Sequence, residues 1–114
     1  MSAVILSQVD NGKLVEIKQG QTLAIHLPEN PTTGYRWEID SVNVGLGEGN
    51  EIIILESSSF APAPSVGIGG DGERTIIFKA ANVGTTQLNM KRWQSWEGNH
   101  SIIERYSLTC RVRG

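Results

Sequence analysis

The chain is 114 residues long and carries 10 basic and 12 acidic residues, for a formal net charge of −2. This length predicts one domain, residues 1–114, built around one hydrophobic core. The charge balance argues against nucleic acid as a partner, because phosphate binding needs a clustered basic surface. No apolar run reaches the length of a membrane-spanning helix, so no membrane partner is expected.

The first residues of the chain indicate where in the cell the protein is expected. Met1-Ser2-Ala3 lacks the charged and then apolar pattern of a signal peptide. The sequence as given therefore predicts a cytoplasmic protein, or a periplasmic or secreted one if a leader has been removed. Cys110 is the one cysteine, so no intramolecular disulfide is expected.

Apolar residues recur with period two along most of the chain, which is the pattern of half-buried β-strands. Thirteen glycines and four prolines separate these stretches, and no stretch favours a helix longer than one or two turns. The unbroken apolar run Ile52–Leu55 predicts a strand buried on both faces. The predicted strands, in chain order, are Leu14–Ile17, Leu23–Leu27, Tyr35–Ile39, Ile52–Leu55, Thr75–Ala80, Thr86–Trp93 and Ile102–Val112. They favour an all-β fold, an immunoglobulin-like antiparallel β-sandwich of seven or eight strands.

Such a fold places alternate loops at the same end, because the chain reverses direction at each antiparallel connection. From the strand at Leu23 onward, this rule groups the loops Pro28–Gly34, Phe60–Gly72 and Gln94–Ser101. These loops also hold the most distinctive loop residues of the chain. We therefore expect a binding surface where the three loops meet.

The first of these loops reads Asn30-Pro31-Thr32-Thr33-Gly34-Tyr35. Pro31 fixes its own φ angle, and Gly34 permits a positive φ, so the segment is expected to be a shaped turn. The hydroxyl groups of Thr32 and Thr33 could donate and accept hydrogen bonds at little cost in side-chain entropy. This composition predicts a rigid recognition loop.

The second loop contains Gly67-Ile68-Gly69-Gly70-Asp71-Gly72, which spells the dinucleotide-binding pattern GxGxxG. That pattern requires a strand before it and a helix that begins within it. Here the residues from Glu73 to Phe78 continue as a predicted strand, so the context excludes nucleotide binding. A mobile connecting loop is the simple alternative, but a loop this long in a small domain is more often functional.

The third loop carries two tryptophans three residues apart, Trp93 and Trp96. They cannot both lie on one face of a strand, so at least one is expected to be exposed as a binding anchor. Trp93 could equally pack over the end of the sandwich, and the interface interpretation is preferred for Trp96. A carbohydrate-binding module that uses both rings as stacking platforms is a further alternative.

The residues that could carry catalysis are few. Cys110 lies in phase with Leu108 and Val112, which predicts a buried core thiol and not a nucleophile. His26 and His100 lie far apart in the chain and have no accompanying metal-ligand pattern. We expect a monomer that is not an enzyme and holds no cofactor and no metal.

The Asn30–Tyr35 segment, the Gly67-Ile68-Gly69-Gly70 segment and a third loop with tryptophan occur here in this order on a short all-β chain. In this the chain resembles the chagasin-type inhibitors of papain-like cysteine peptidases, along almost its entire length. The third motif of that family usually reads Arg-Pro-Trp. Here it falls on Gln94-Ser95-Trp96, or in another register on Lys91-Arg92-Trp93. The first register is preferred because it needs no gap.

The resemblance implies that the three loops form a wedge for the substrate cleft of a papain-like cysteine protease. Thr32 and Thr33 would lie over the catalytic Cys–His pair, Gly67–Gly70 would contact the non-primed wall through the backbone, and Trp96 would cover the primed side. The altered third motif leaves open a non-inhibitory ligand-binding or adhesion sandwich. The residues implied in protease binding are Asn30, Pro31, Thr32, Thr33, Gly34, Tyr35, Gly67, Ile68, Gly69, Gly70, Arg92, Trp93 and Trp96.

Overall fold

The computed structural model describes residues 3–40, 51–62 and 72–114, and within these residues the chain forms eight β-strands. The strands are β1 (Val4–Ser7), β2 (Leu14–Lys18), β3 (Thr22–Glu29), β4 (Arg36–Ile39), β5 (Ile53–Pro62), β6 (Gly72–Ala80), β7 (Gly84–Trp93) and β8 (Glu104–Arg113). Single 3-10 turns occupy Gln8–Asp10, Pro31–Thr33 and Asn99–Ser101. In the described part of the chain, no helix is long and apolar enough to cross a membrane.

The strands form two four-stranded sheets that pack face to face. One sheet has the order β1-β3-β6-β5 and the other the order β2-β8-β7-β4. The pairs β3–β6, β5–β6, β4–β7 and β7–β8 are antiparallel, as expected for this sandwich. The edge strands β1 and β2 instead pair in parallel with β3 and β8, which makes both sheets mixed. The chain crosses from β1 in one sheet to β2 in the other, so neither edge strand is joined to its neighbour by a hairpin.

The core lies between the sheets and follows the period-two pattern of the sequence. On β8, for example, Tyr106, Leu108, Cys110 and Val112 are buried, and the residues between them are half-buried or exposed. The buried thiol predicted for Cys110 is confirmed, and burial raises the pKa of this thiol to about 11. The buried apolar residues of the core are Leu6, Val15, Ile17, Leu23, Ile25, Leu27, Trp37, Ile53, Ile76, Phe78, Ala80, Leu88, Met90, Tyr106, Leu108, Cys110 and Val112.

The sequence-based strand assignment differs from the structure in two places. Strand β1 was not predicted, because its apolar run, Val4–Leu6, is shorter than the roughly four residues that indicate a buried strand. The prediction that Ile52–Leu55 is buried on both faces is wrong: Ile53 is fully buried, but Leu55 is 40% exposed. The reason is that β5 lies at the edge of its sheet. Strand β5 also continues through three exposed serines to Pro62. Its last three residues, Phe60–Pro62, were predicted to belong to the second loop.

Candidate binding site at the loop end

The loops that follow β3 and β7 leave the sandwich at the same end, here called the loop end. Strand pairing brings the relevant strand ends together: Glu29 at the end of β3 pairs with Gly72 at the start of β6, and Gly72 also pairs with Pro62 at the end of β5. The predicted site residues Gly67, Ile68, Gly69 and Gly70 lie outside the described residues. The two strands that flank that segment nevertheless end beside the first loop.

Local hydrogen bonds shape the first loop. Asn30 caps the 3-10 turn, because its side-chain oxygen accepts from the Thr32 backbone N–H at 3.0 Å. Pro31 occupies the first position of the turn, where a missing N–H has no cost. Gly34 closes the turn in the left-handed region, with φ of +83°. Asn30, Pro31 and Gly34 thus each have a conformational role in this turn, and residues 31–33 remain exposed.

The two threonine hydroxyls form hydrogen bonds inside this loop. Thr32 Oγ1 donates to Asn30 Oδ1 at 2.5 Å, and Thr33 Oγ1 donates to the Asn30 carbonyl at 2.7 Å. Thr33 Oγ1 also accepts from the N–H of half-buried Tyr35 at 3.3 Å. From the sequence, both hydroxyls were expected to be available to a partner. In the structure both hydroxyl protons stabilise the turn, and the hydroxyls therefore make the loop rigid.

The third loop is held by a buried serine. Ser101 Oγ accepts from the Gln94 backbone N–H at 3.0 Å and lies 2.7 Å from the Gly98 carbonyl. A tight turn precedes it, because Glu97 N–H donates to the Gln94 carbonyl at 2.9 Å. No sequence pattern distinguishes Ser101, since serine is common in loops. Its burial, at 8% exposure, distinguishes it only in the folded protein.

The first and third loops contact each other directly. Gln94 Nε2 donates to the Thr33 carbonyl at 3.0 Å. The Trp96 ring lies over Gly34 so closely that a Cβ atom there would be 2.5 Å from the ring atom Cη2. The two loops therefore form one continuous surface, and Gly34 serves both the turn and this contact.

The tryptophans of the third loop differ in their surroundings. Trp96 is 67% exposed. Trp93 is half-buried on β7, where it pairs with Arg36 of β4 and its ring lies 3.5 Å from the Lys91 ammonium group. Arg92, the other residue of the alternative register, forms an ion pair with Glu104 at 3.3 Å. Of the two registers, only the one ending in Trp96 presents a largely exposed ring at the loop end.

Beneath the loops lies a buried charged pair that the sequence analysis did not select. Glu29 and Arg74 form an ion pair at 2.6 Å between Oε2 and Nη2. Glu29 follows Leu27 on the inner face of β3, and Arg74 precedes Ile76 on the inner face of β6. A charged residue in phase with core positions was the signal that could have revealed each of them.

A shallow cleft also lies on the side of the sandwich. It has a volume of about 370 Å³ and opens between the edge strands β4 and β5. It is lined by Arg36, Trp37, Glu38, Ile39, Leu55, Ser58 and Ile76. No group of three or more potential metal-ligating side chains occurs among the described residues. The loop end is the better candidate site, because its exposed residues are held in place by hydrogen bonds and include a tryptophan.

Comparison with known proteins connects this geometry to a family. Residues 16–110 match the family model described as chagasin family peptidase inhibitor I42. Chagasin of Trypanosoma cruzi is 29% identical over 106 residues, which cover 90% of this chain and 92% of that protein.

Solved structures share the fold. The cysteine protease inhibitor EhICP2 of Entamoeba histolytica has a TM-score of 0.80 at 24% identity, over 97% of this chain and 96% of that chain. PbICP-C, solved in complex with falcipain-2, has a TM-score of 0.59 at 14% identity, over 97% of this chain and 91% of that one. The family consists of peptidase inhibitors and not of enzymes, as the sequence predicted. Because the family model spans most of the sequence, the chain belongs to the chagasin family of peptidase inhibitors.

Proposed function

We propose that this protein inhibits papain-like cysteine proteases by placing the loop end in their substrate cleft. The observation that carries the proposal is the contact between Gln94 and Thr33 together with the packing of Trp96 on Gly34. These contacts join the exposed tip of the first loop and the exposed ring of the third loop into one rigid projection. A rigid projection loses little conformational entropy on binding, which favours tight and reversible inhibition.

The inhibitor needs no chemistry of its own in this mechanism. Its thiol, Cys110, is buried in the core far along β8, and its pKa of about 11 keeps it protonated at neutral pH. Inhibition is therefore by occlusion of the catalytic centre. The inhibitors among the fold neighbours, including the one solved with falcipain-2, support this assignment.

The assignment is tested by titrating papain and a cathepsin with the protein and measuring residual peptidase activity. We expect reversible inhibition at nanomolar to low-micromolar concentrations, typical of a rigid interface of standard size. Absence of inhibition at micromolar protein against several papain-like enzymes would refute the proposal.

The position of the first loop is tested by Thr32→Tyr. Thr32 is exposed, so the larger ring leaves the core intact but collides with the walls of a cleft that fits threonine. We expect the inhibition constant to rise about 100-fold or more, a loss of roughly 3 kcal/mol of binding energy. Thr32→Ser is the matched control, because it keeps the hydroxyl that donates to Asn30. Unfolding of the tyrosine variant, seen by circular dichroism, would instead show that Thr32 has a structural role.

A further inference from the structure

The Glu29–Arg74 pair is buried where the loops leave the sandwich. The Glu29 side chain is fully buried and that of Arg74 is 10% exposed. Burying two charges costs desolvation energy, and an apolar pair of similar size is often equally stable. The stability of the core alone therefore gives little reason for an ion pair at this place.

The contacts of Glu29 connect both sides of the first loop. Glu29 is the last residue of β3, and its Oε1 accepts from the backbone N–H of Trp37 on β4 at 2.8 Å. Strands β3 and β4 belong to different sheets, so no ladder hydrogen bond joins them. The indole N–H of Trp37 reinforces the link by donating to the Pro28 carbonyl at 2.9 Å. The first loop thus begins and ends at one carboxylate.

The contacts of Arg74 extend this link to the strands on either side of the second loop. Its Nε donates to Glu29 Oε1 at 3.2 Å and its Nη2 donates to Glu29 Oε2 at 2.6 Å, so the pairing is bidentate. Its Nη1 donates to Ser58 Oγ on β5 at 3.3 Å, and its guanidinium lies 6.0 Å from the centre of the Phe60 ring. Arg74 itself stands three residues into β6.

We propose that Glu29 and Arg74 are positioning residues that fix the first loop relative to strands β5 and β6, so that this loop meets the protease in one arrangement. This inference rests on the proposed function, and it assigns to the pair a role in affinity and not in fold stability. Directional, bidentate hydrogen bonds define an orientation that apolar packing in the same place does not.

The test compares two double variants. Glu29→Leu with Arg74→Met removes the charges and the acceptor for Trp37 N–H. Glu29→Gln with Arg74→Met also removes the charges, but keeps a side-chain oxygen that can accept from Trp37. We expect the glutamine version to melt near the wild-type temperature and the leucine version below it, because the leucine version leaves the buried Trp37 N–H without an acceptor. The leucine version should raise the inhibition constant against papain about tenfold or more, because the first loop must then be ordered on binding, and the glutamine version should raise it less.

Leu88→Ala provides the control for a purely structural effect. Leu88 is fully buried in β7, and its truncation lowers the melting temperature while leaving the inhibition constant of the folded protein unchanged. If the leucine double variant folds and inhibits as well as the wild type, the proposal is wrong. If that variant does not fold, Arg74→Lys decides the question. Lysine keeps the positive charge but cannot form the bidentate hydrogen bonds of the guanidinium group. An unchanged inhibition constant for this variant would overturn the proposal.

Hydrogen exchange of the free protein separates this inference from the proposed function. The backbone N–H groups of Thr33, Gly34 and Trp37 donate hydrogen bonds in and beside the first loop. Without any protease, their exchange should be faster in the leucine double variant than in the wild type, and close to wild type at Trp37 in the glutamine version. That result supports the positioning role even if the wild type inhibits no protease tested. Equal exchange in all three proteins contradicts it.

Discussion

At the residue scale, Gly34 has two roles that can be separated. Its φ of +83° disfavours any side chain, and a Cβ atom would collide with the Trp96 ring. Gly12 has nearly the same backbone, with φ of +85°, but nothing lies within 4 Å of its Cβ position. A side chain would be strained at either glycine, but only at Gly34 would it also disturb the contact between the two loops.

We expect Gly34→Ala to weaken inhibition about tenfold or more, because displacing Trp96 disrupts the joint surface of the two loops. Gly12→Ala should leave inhibition unchanged, although both variants lose roughly 1–2 kcal/mol of stability to the left-handed backbone. Protease inhibition and urea unfolding measure the two effects independently. Equal inhibition by the two variants would show that the contact between Trp96 and Gly34 is unimportant for binding.

At the element scale, the altered motif of the third loop is compensated by its surroundings. Glu97 N–H donates to the Gln94 carbonyl, which makes Ser95 the second residue of a tight turn. Proline is favoured at that position, so the usual Arg-Pro-Trp motif fits the same backbone. In this chain the hydrogen bonds of Gln94 to Thr33 and to Ser101 hold the turn without proline.

The double substitution Gln94→Arg with Ser95→Pro therefore has a limited expected effect, because an arginine N–H can replace the Gln94 donor to the Thr33 carbonyl. A compatible proline stabilises by about 0.4–1 kcal/mol, which corresponds to at most about a fivefold gain in inhibition. Titration of papain measures it, with Ser95→Ala as the control for loss of the serine side chain. A much larger gain from a weak starting level would favour a sandwich that has lost inhibition in its natural form.

At the scale of the whole molecule, two buried ionisable groups predict loss of stability in alkali. Burial raises the pKa of Cys110 from 9.0 to about 11 and that of Tyr106 from 10.0 to about 12. Because the folded protein holds these protons more tightly than the unfolded chain, the associated stability is complete below pH 9. It is lost as the pH rises from 9 towards 11 for Cys110 and from 10 towards 12 for Tyr106.

We expect the free energy of unfolding to fall between pH 9 and pH 10 with a slope of at most about 1.4 kcal/mol per pH unit from Cys110. Cys110→Ala should make this decrease shallower, whatever it costs in packing at neutral pH. Urea unfolding with a reducing agent at pH 8, 9 and 10 measures both slopes. Parallel curves for wild type and variant would exclude the thiol as the cause.

The sequence by itself determined the features that depend on neighbours in the chain. Period-two patterns and one unbroken apolar run identified seven of the eight strands in the described residues, and the phase of Cys110 predicted its burial. The turn at Asn30–Gly34 follows from an asparagine cap, a proline and a glycine within five residues. These arrangements form through local hydrogen bonds and steric limits, so the sequence alone is sufficient to predict them.

Only the tertiary structure decided which distant groups meet at the loop end. Gln94 and Thr33 are 61 residues apart, and Arg74 and Glu29 are 45 apart. Their contacts depend on strand order and register, which the pattern of one strand does not specify. The same holds for the edge position of β5, which exposes Leu55 in an apolar run. The turn of the first loop was thus encoded locally, whereas its attachment to Trp96 and to the buried ion pair was fixed by the packing of the two sheets.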